Sequence, residues 1–308
     1  MKIAIMATGG VGGYFGARLA AAGEDVHFIA RGAHLAALRG DGLKLNSANG
    51  DLHLHSVAAT DDPATIGTVD IVLFAVKQYD TATAATAILP LIGTSTGVIS
   101  LQNGMDRSDP LRAILGGAHV MGGVAYITGA EVASPGVITH VGSVARLIFG
   151  EFGGGVSPRV QRFLAACKGT GIDATLSTEI AKEMWAKFAL LSAFSGVSSV
   201  LRKPIGAIVA DPDTRKLLDD AIAETVAVAK ANRVDLGADY MARQQSLVGK
   251  MLPQTKSSMQ IDLEHCRRLE LEWLSGAVAR FGDEAGVPTP THHFIYAALK
   301  LYANGQNG

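Results

Sequence analysis

Short apolar runs alternate with Ala- and Leu-rich stretches through the first half of the chain. The runs are KIAIM (2–6), VHFIA (26–30), VDIVLFAV (69–76) and GVISL (97–101). Each is apolar at successive rather than alternate positions, the mark of a strand covered on both faces of a parallel sheet. Between them, 14–22 and 81–89 read as helices. Such alternation predicts an α/β, doubly wound sheet of Rossmann type. Residues 43–57 break the rhythm, because KLN and DLHLHSV flank Asn49-Gly50, a strong hairpin signal. A second strand-rich patch, 120–150, turns at Ser134-Pro135-Gly136.

Beyond about residue 175 the strand pattern stops. Four helical segments follow, over 178–200, 212–232, 238–251 and 257–285. The second opens well: Asp211 can cap it, Pro212 suits the first helical position, and Asp213 complements the dipole. The expected organisation is therefore a Rossmann-type domain over 1–172 followed by an all-α domain over 173–308. A chain of 308 residues, 48% of them hydrophobic, can fill two cores. The apolar face of 212–232 suits either a domain core or a homodimer interface.

Charge and cysteines narrow the partners. Lys plus Arg number 27 and Asp plus Glu 28, so no basic footprint for nucleic acid or a membrane surface exists. The longest apolar stretch, 188–201, is broken by four serines and a glycine and is shorter than a membrane span needs. Cys167 and Cys266 form no CxxC pair, read as buried small hydrophobes, and point to a reducing, cytoplasmic setting. His53 and His55 alternate on a strand and His292-His293 sit near the last helix, without companions at ligand spacing, so no metal is expected.

Glycine is in excess, at 36 residues, as tight turns or close backbone approach to a ligand require. One cluster stands where that matters. Met6-Ala7-Thr8-Gly9-Gly10-Val11-Gly12-Gly13 follows the first strand and opens a helix, the setting of a dinucleotide fingerprint. Gly9 would let backbone approach a pyrophosphate and Gly12 would let helix and strand pack closely. Ala7 replaces the usual first glycine, which is harmless only if that position avoids positive φ. About 22 residues beyond Gly9 comes Arg31, where an acid would select NAD and an arginine suits the 2′-phosphate of NADP. Lys77 and Asn103 likewise follow strands, at the edge where open α/β sheets bind ligands.

In the helical half, Lys187 lies among Trp185, Phe188 and Leu191. A lysine there either snorkels or is held at a cleft, where it can give a proton to a reduced carbonyl and stabilise the developing alkoxide. Leu191 and Ser195 follow one and two turns later and are expected to line the same pocket. Glu264, Glu270 and Glu272 with Arg267 and Arg268 read as a solvated face unless one of them orients lysine or substrate.

Together these motifs resemble a family. The glycine turn, Ala30-Arg31-Gly32, Val76-Lys77, Gln102-Asn103-Gly104-Met105, Trp185-x-Lys187, and Ser257-Ser258-Met259 followed by Glu270 are similar to the ketopantoate reductases (2-dehydropantoate 2-reductases), in order and spacing. The resemblance implies NADPH on Thr8, Gly9, Gly10, Val11, Gly12, Arg31, Lys77 and Asn103, and hence an NADP-binding first domain and a substrate-binding, catalytic second one. It implies Lys187 as the acid, assisted by Glu270, with Asn103 and Ser258 on substrate polar groups. The expected reaction is NADPH-dependent reduction of a small 2-oxo acid to a 2-hydroxy acid. Relatives that make pantoate carry asparagines where this chain has Leu191 and Ser195, and a polar residue at Ile205. A more apolar 2-oxo acid or ketone is thus one alternative, and a non-catalytic NADP-binding sensor another. A two-domain dehydrogenase using NAD is disfavoured by Arg31.

Overall fold

The chain is described by a computed structural model covering residues 1–106 and 108–305. It forms two compact units: the first runs to Glu183 apart from Asn103–Asp106, which belongs with the second.

The first unit begins with β1 (Lys2–Met6), α1 (Gly10–Ala21), β2 (Asp25–Ile29) and α2 (Gly32–Gly40). A hairpin, β3 (Leu43–Ser47) and β4 (Leu52–Leu54), turns at Asn49-Gly50 as expected, and β5 (Ala58–Thr60) follows. Then come β6 (Ile71–Phe74), α3 (Thr81–Ala87), β7 (Gly97–Ser100) and α4 (Ser108–Leu115). The unit continues through β8 (Val120–Ile127), β9 (Ala130–Ser134), β10 (Val137–His140), β11 (Ala145–Gly150), α5 (Pro158–Ala166) and β12 (Asp173–Leu176).

Eight strands make the main sheet, in the order β12-β11-β8-β7-β6-β1-β2-β5, and only β8 and β11 pair antiparallel. The chain winds outward from β1 to β2 and β5, then crosses back to β6 and β7, so the topological switch lies at β1 and β6. Register aligns Ile29, Met6, Phe74 and Ser100 in one row at the carboxyl edge. Ligands bind beyond that edge in such sheets. Both faces are covered, as the continuous apolar runs require. Ile3, Ile5 and Ile99 pack with Phe15, Phe28 and Phe163 on one face, while Ala4, Val72 and Val98 meet Ala84 and Leu111 on the other. The smaller sheet, β4-β3-β10-β9, packs over α1.

The second unit holds most of α6 (Ile180–Leu201), then α7 (Ile205–Ala210), α8 (Pro212–Ala231), α9 (Tyr240–Gly249), α10 (Ser258–Glu264), α11 (Ser275–Ala285) and α12 (Pro290–Leu299). Asp211 caps α8 as expected, accepting from the Asp213 and Thr214 amides at 3.1 and 2.9 Å. The apolar face of α8, including Leu218, Ile222 and Val228, is buried in this unit's own core, which accounts for it without a second copy. Among the described residues one helix, α6, is long and apolar enough to cross a membrane by length and composition, and two-thirds of that window is buried inside the molecule. Its 22 residues exceed the apolar stretch seen in the sequence because the helix starts earlier, at Ile180.

Three expectations need correction. The junction at residue 172 falls too early, because β12 pairs in parallel with β11 and belongs to the first unit. The expected helix 257–285 is two helices. Cys266 takes a left-handed φ of 54°, and Leu269 donates its amide to Ala303 at 2.9 Å, pulling 266–270 out of helical geometry. Cys266 is also exposed rather than buried, whereas Cys167 is buried and its thiol is pushed up to about 12 by burial.

Candidate active site

The glycine turn divides its work among its residues. Thr8 is buried, and its amide and hydroxyl both donate to the Ile29 carbonyl at 3.1 Å, tying the turn to β2. A Cβ on Gly10 would lie 2.2 Å from the Ala130 carbonyl oxygen, and one on Gly12 2.3 Å from that of Ala7. Packing alone therefore demands those two glycines. Gly9 differs: a Cβ there would meet nothing within 4 Å, and its φ of −81° suits any residue. Neither packing nor backbone conformation explains it. An approaching ligand would, because Gly9 caps α1 with no side-chain hydrogen bond and so leaves the Gly10, Val11 and Gly12 end of the helix to an anion.

Ala7 has a φ of 74°. The position does require the left-handed conformation, which costs an L-residue roughly 1–2 kcal/mol. Ala7→Gly relieves that strain but adds freedom to the unfolded chain. The expected net gain is about 1 kcal/mol, a rise in Tm of about 2–4 °C by calorimetry. An unchanged or lower Tm would show that the turn holds Ala7 without strain.

Arg31 and Lys77 stand two and three residues past the row that ends β2 and β6. Arg31 is exposed at the head of α2, and Lys77 is half-buried at the head of a short 3-10 turn over Gln78–Asp80. Behind Lys77 runs a buried polar chain that was not evident in the sequence. Ser100 donates to Gln102 Oε1 at 3.1 Å, Gln102 Nε2 to Thr81 Oγ1 at 2.7 Å, and Thr81 to the Gln78 carbonyl at 2.7 Å. It fixes the segments that follow β6 and β7.

In the second unit, Lys187 Nζ donates to Asn103 Oδ1 at 3.0 Å, joining two residues 84 positions apart. Tyr240 Oη fixes the helix there by donating to the Ala186 carbonyl at 2.5 Å, and Trp185 packs edge-on against Phe188. An ion pair between Arg280 and Asp106 anchors the Asn103 loop on α11. Glu270 is 5% exposed and precedes a 3-10 turn over Leu271–Trp273, so it does not lie on a solvated helix face. Its neighbours do behave as surface charges. Glu264 pairs with Lys256 at 2.7 Å, and Glu272 accepts from Tyr296 Oη at 2.8 Å.

The expected substrate residues separate. Leu191 keeps exposed surface, but Ser195 has none, and its hydroxyl has no partner among the described residues. Eight residues at 100° each carry Ser195 about 80° round the helix from Lys187, where it is fully buried. Ser258 is exposed at the start of α10. Its neighbour Ser257 instead does the structural work, capping the helix at the Gln260 amide (3.1 Å) and meeting Ser198 Oγ at 2.8 Å. Tyr126, unremarked in the sequence, has its phenol pushed up to about 12, first by burial and then by Glu183. No group of three or more His, Cys, Asp or Glu is placed for a metal among the described residues.

A parallel sheet with a glycine turn at its switch point, followed by a helical unit that presents a lysine held by an asparagine, defines a dinucleotide-dependent oxidoreductase. Comparison with known proteins narrows that class. Residues 3–154 match the family described as ketopantoate reductase PanE/ApbA, and residues 179–303 match its C-terminal part. A 2-dehydropantoate 2-reductase of Mesorhizobium japonicum is 32% identical, over 98% of each chain. One of Nostoc sp. is 30% identical, over 99% of this chain and 96% of the other. The crystal structure of a PanE/ApbA family ketopantoate reductase from Ralstonia eutropha superposes with a TM-score of 0.89 at 33% identity, covering 98% of each chain. The chain belongs to the ketopantoate reductase family.

Proposed function

We propose that this protein reduces a small 2-oxo acid to the 2-hydroxy acid with NADPH, ketopantoate being the substrate named for its relatives. The observation that carries the reading is the Lys187–Asn103 pair, an ammonium fixed by an amide oxygen on a rigid helix. The open space over Gly9 fits a bound diphosphate, and Gly9, Gly10, Val11 and Gly12 would hold it with backbone N–H groups and the α1 dipole. Arg31 would take the 2′-phosphate and Lys77 a phosphate or ribose oxygen. When bound, the nicotinamide would supply hydride for the carbonyl carbon. Lys187 would donate a proton to the carbonyl oxygen and stabilise negative charge as it develops there. Asn103 orients the ammonium, Glu270 supports the same site, and Ser258 would hold a polar group of the substrate.

The test is loss of NADPH absorbance with ketopantoate, run beside NADH and a panel of 2-oxo acids. More apolar acids belong on the panel, because Leu191 keeps exposed surface one turn past Lys187 and offers no hydrogen bond. Turnover of ketopantoate with NADPH preferred is expected. A charge-assisted hydrogen bond contributes about 1.5–3 kcal/mol, so Arg31→Ala should cut the preference for NADPH over NADH by about 10- to 100-fold. Equal use of both nucleotides by the unaltered protein would overturn the NADP assignment, and no turnover across the panel would overturn the activity.

A further inference from the structure

Lys187 and Asn103 lie 84 residues apart, so each side of their bond needs its own anchor. Two successive residues of α11, Arg280 and Phe281, supply both. The chain before Asn103 belongs to the first unit, yet Asn103–Asp106 packs with the second. Gly104 turns this short segment with a left-handed φ of 91°. Met105 then packs against the helical core, and the Asp106 carboxylate pairs with the Arg280 guanidinium. Phe281 holds the other side. Its ring centroid lies 6.0 Å from that of Trp185, two positions before Lys187 on α6. The Arg280 guanidinium lies 4.9 Å from the centre of the Phe281 ring, and Glu284 stands 3.9 Å from its Nε.

The contacts therefore close a ring, from Lys187 through Asn103, Asp106, Arg280, Phe281 and Trp185 back to Lys187. A ring of this kind fixes the separation of ammonium and amide oxygen from both ends. Arg280 is 39% exposed and Asp106 22%, so their pair adds little to the stability of the whole fold and its effect is local. We propose that Arg280 is a positioning residue for the proton donor: through Asp106 it sets Asn103 Oδ1 against Lys187 Nζ, so that the ammonium is aimed before substrate arrives. The role rests on the reading of Lys187 given above. Arg280 itself touches neither substrate nor nucleotide in this role.

The experiment compares unaltered protein with Arg280→Ala, Arg280→Lys and Asp106→Asn, each also with Asn103→Ala. It reads kcat and KM for the 2-oxo acid turned over fastest in the panel above, Tm, and hydrogen exchange of the apo protein. Arg280→Ala and Asp106→Asn should each lower kcat by about 10- to 100-fold, the effect of moving a catalytic group by about 1 Å, with KM changed by less than about threefold. Both should speed exchange at the 104–106 amides about tenfold and leave α8 unchanged. Arg280→Lys keeps the charge and should recover most of both effects. In Asn103→Ala protein the same changes should cost less than about threefold in kcat, because the group they position is gone. Asp106→Asn keeps the shape of the side chain, so it tests the pair should Arg280→Ala lose its fold. Faster exchange with unchanged kcat would overturn the proposal, leaving the pair a loop anchor alone. A kcat loss of full size in Asn103→Ala protein would overturn it as well, since Arg280 would then act by another route. A change confined to KM would place Arg280 on the substrate instead. Unaltered protein that reduced no 2-oxo acid would overturn the reading of Lys187, and this role with it.

Discussion

Lys187→Ala should lower kcat for 2-oxo acid reduction by about 10²–10⁴-fold, the range for loss of a general acid, with a much smaller change in KM. The split follows from the task proposed for the residue. Charge grows on the carbonyl oxygen as hydride arrives, so an ammonium aimed there acts more on the transition state than on the bound ketone. The fold should survive, because the Tyr240 bond to the Ala186 carbonyl and the Trp185–Phe188 packing do not involve the lysine head group. Lys187 is half-buried, so Lys187→Met is the cleaner companion: it keeps an apolar stem of similar length and removes the charge. Stopped-flow or steady-state loss of NADPH absorbance measures the effect, with Tm as control. Turnover retained by both variants at unchanged Tm would remove Lys187 from the chemistry.

The sheet was legible because each buried strand is a short apolar run, and the row Ile29, Met6, Phe74, Ser100 follows from where those runs end. Arg31, Lys77 and Asn103 were visible for the same reason, as polar residues just past that row. What Asn103 does was not visible. Its partner lies 84 residues on, and no local pattern encodes that bond. The fate of 265–274 was hidden in a related way. Its composition continues a helix, but long-range pairing of Leu269 with Ala303 and of Arg268 with Asn304 overrides local propensity and carries Glu270 into the interior. Ser195 shows the limit of spacing arguments, since its position two turns past Lys187 says nothing of its full burial. Ala7 is the reverse case: the sequence posed the question of positive φ, and only the backbone angle answers it.

The second unit should lose stability in acid through His292, by about 3 kcal/mol at most between neutral pH and pH 4. The ring is fully buried, with Nε2 against the Ala221 carbonyl at 2.9 Å and Thr225 Oγ1 at 3.0 Å, while Nδ1 has no partner among the described residues. Burial pushes its pKa down to about 4 from the ordinary 6.5, and His293 adds to this, against smaller upward effects of the Ala221 carbonyl and Glu224. The unfolded chain therefore takes up a proton that the folded one refuses. The contribution is intact above about pH 6.5, falls as pH drops toward 4, and levels off below it. Glu224 accepts the Thr291 and His292 amides at 2.8 and 3.0 Å and so holds the start of α12, where the ring sits. The measurement is Tm against pH from 7.5 to 4 for unaltered protein and for His292→Gln. Glutamine can still bond Thr225 and has no proton to gain, so the variant's curve should be flatter by about 5–10 °C over that window. The slope is read against each protein's own value at neutral pH, so a general loss of stability in the variant does not blur the result. Parallel curves would show that the acid sensitivity arises elsewhere, with His34 and His140, whose pKa values burial also lowers, the next groups to replace.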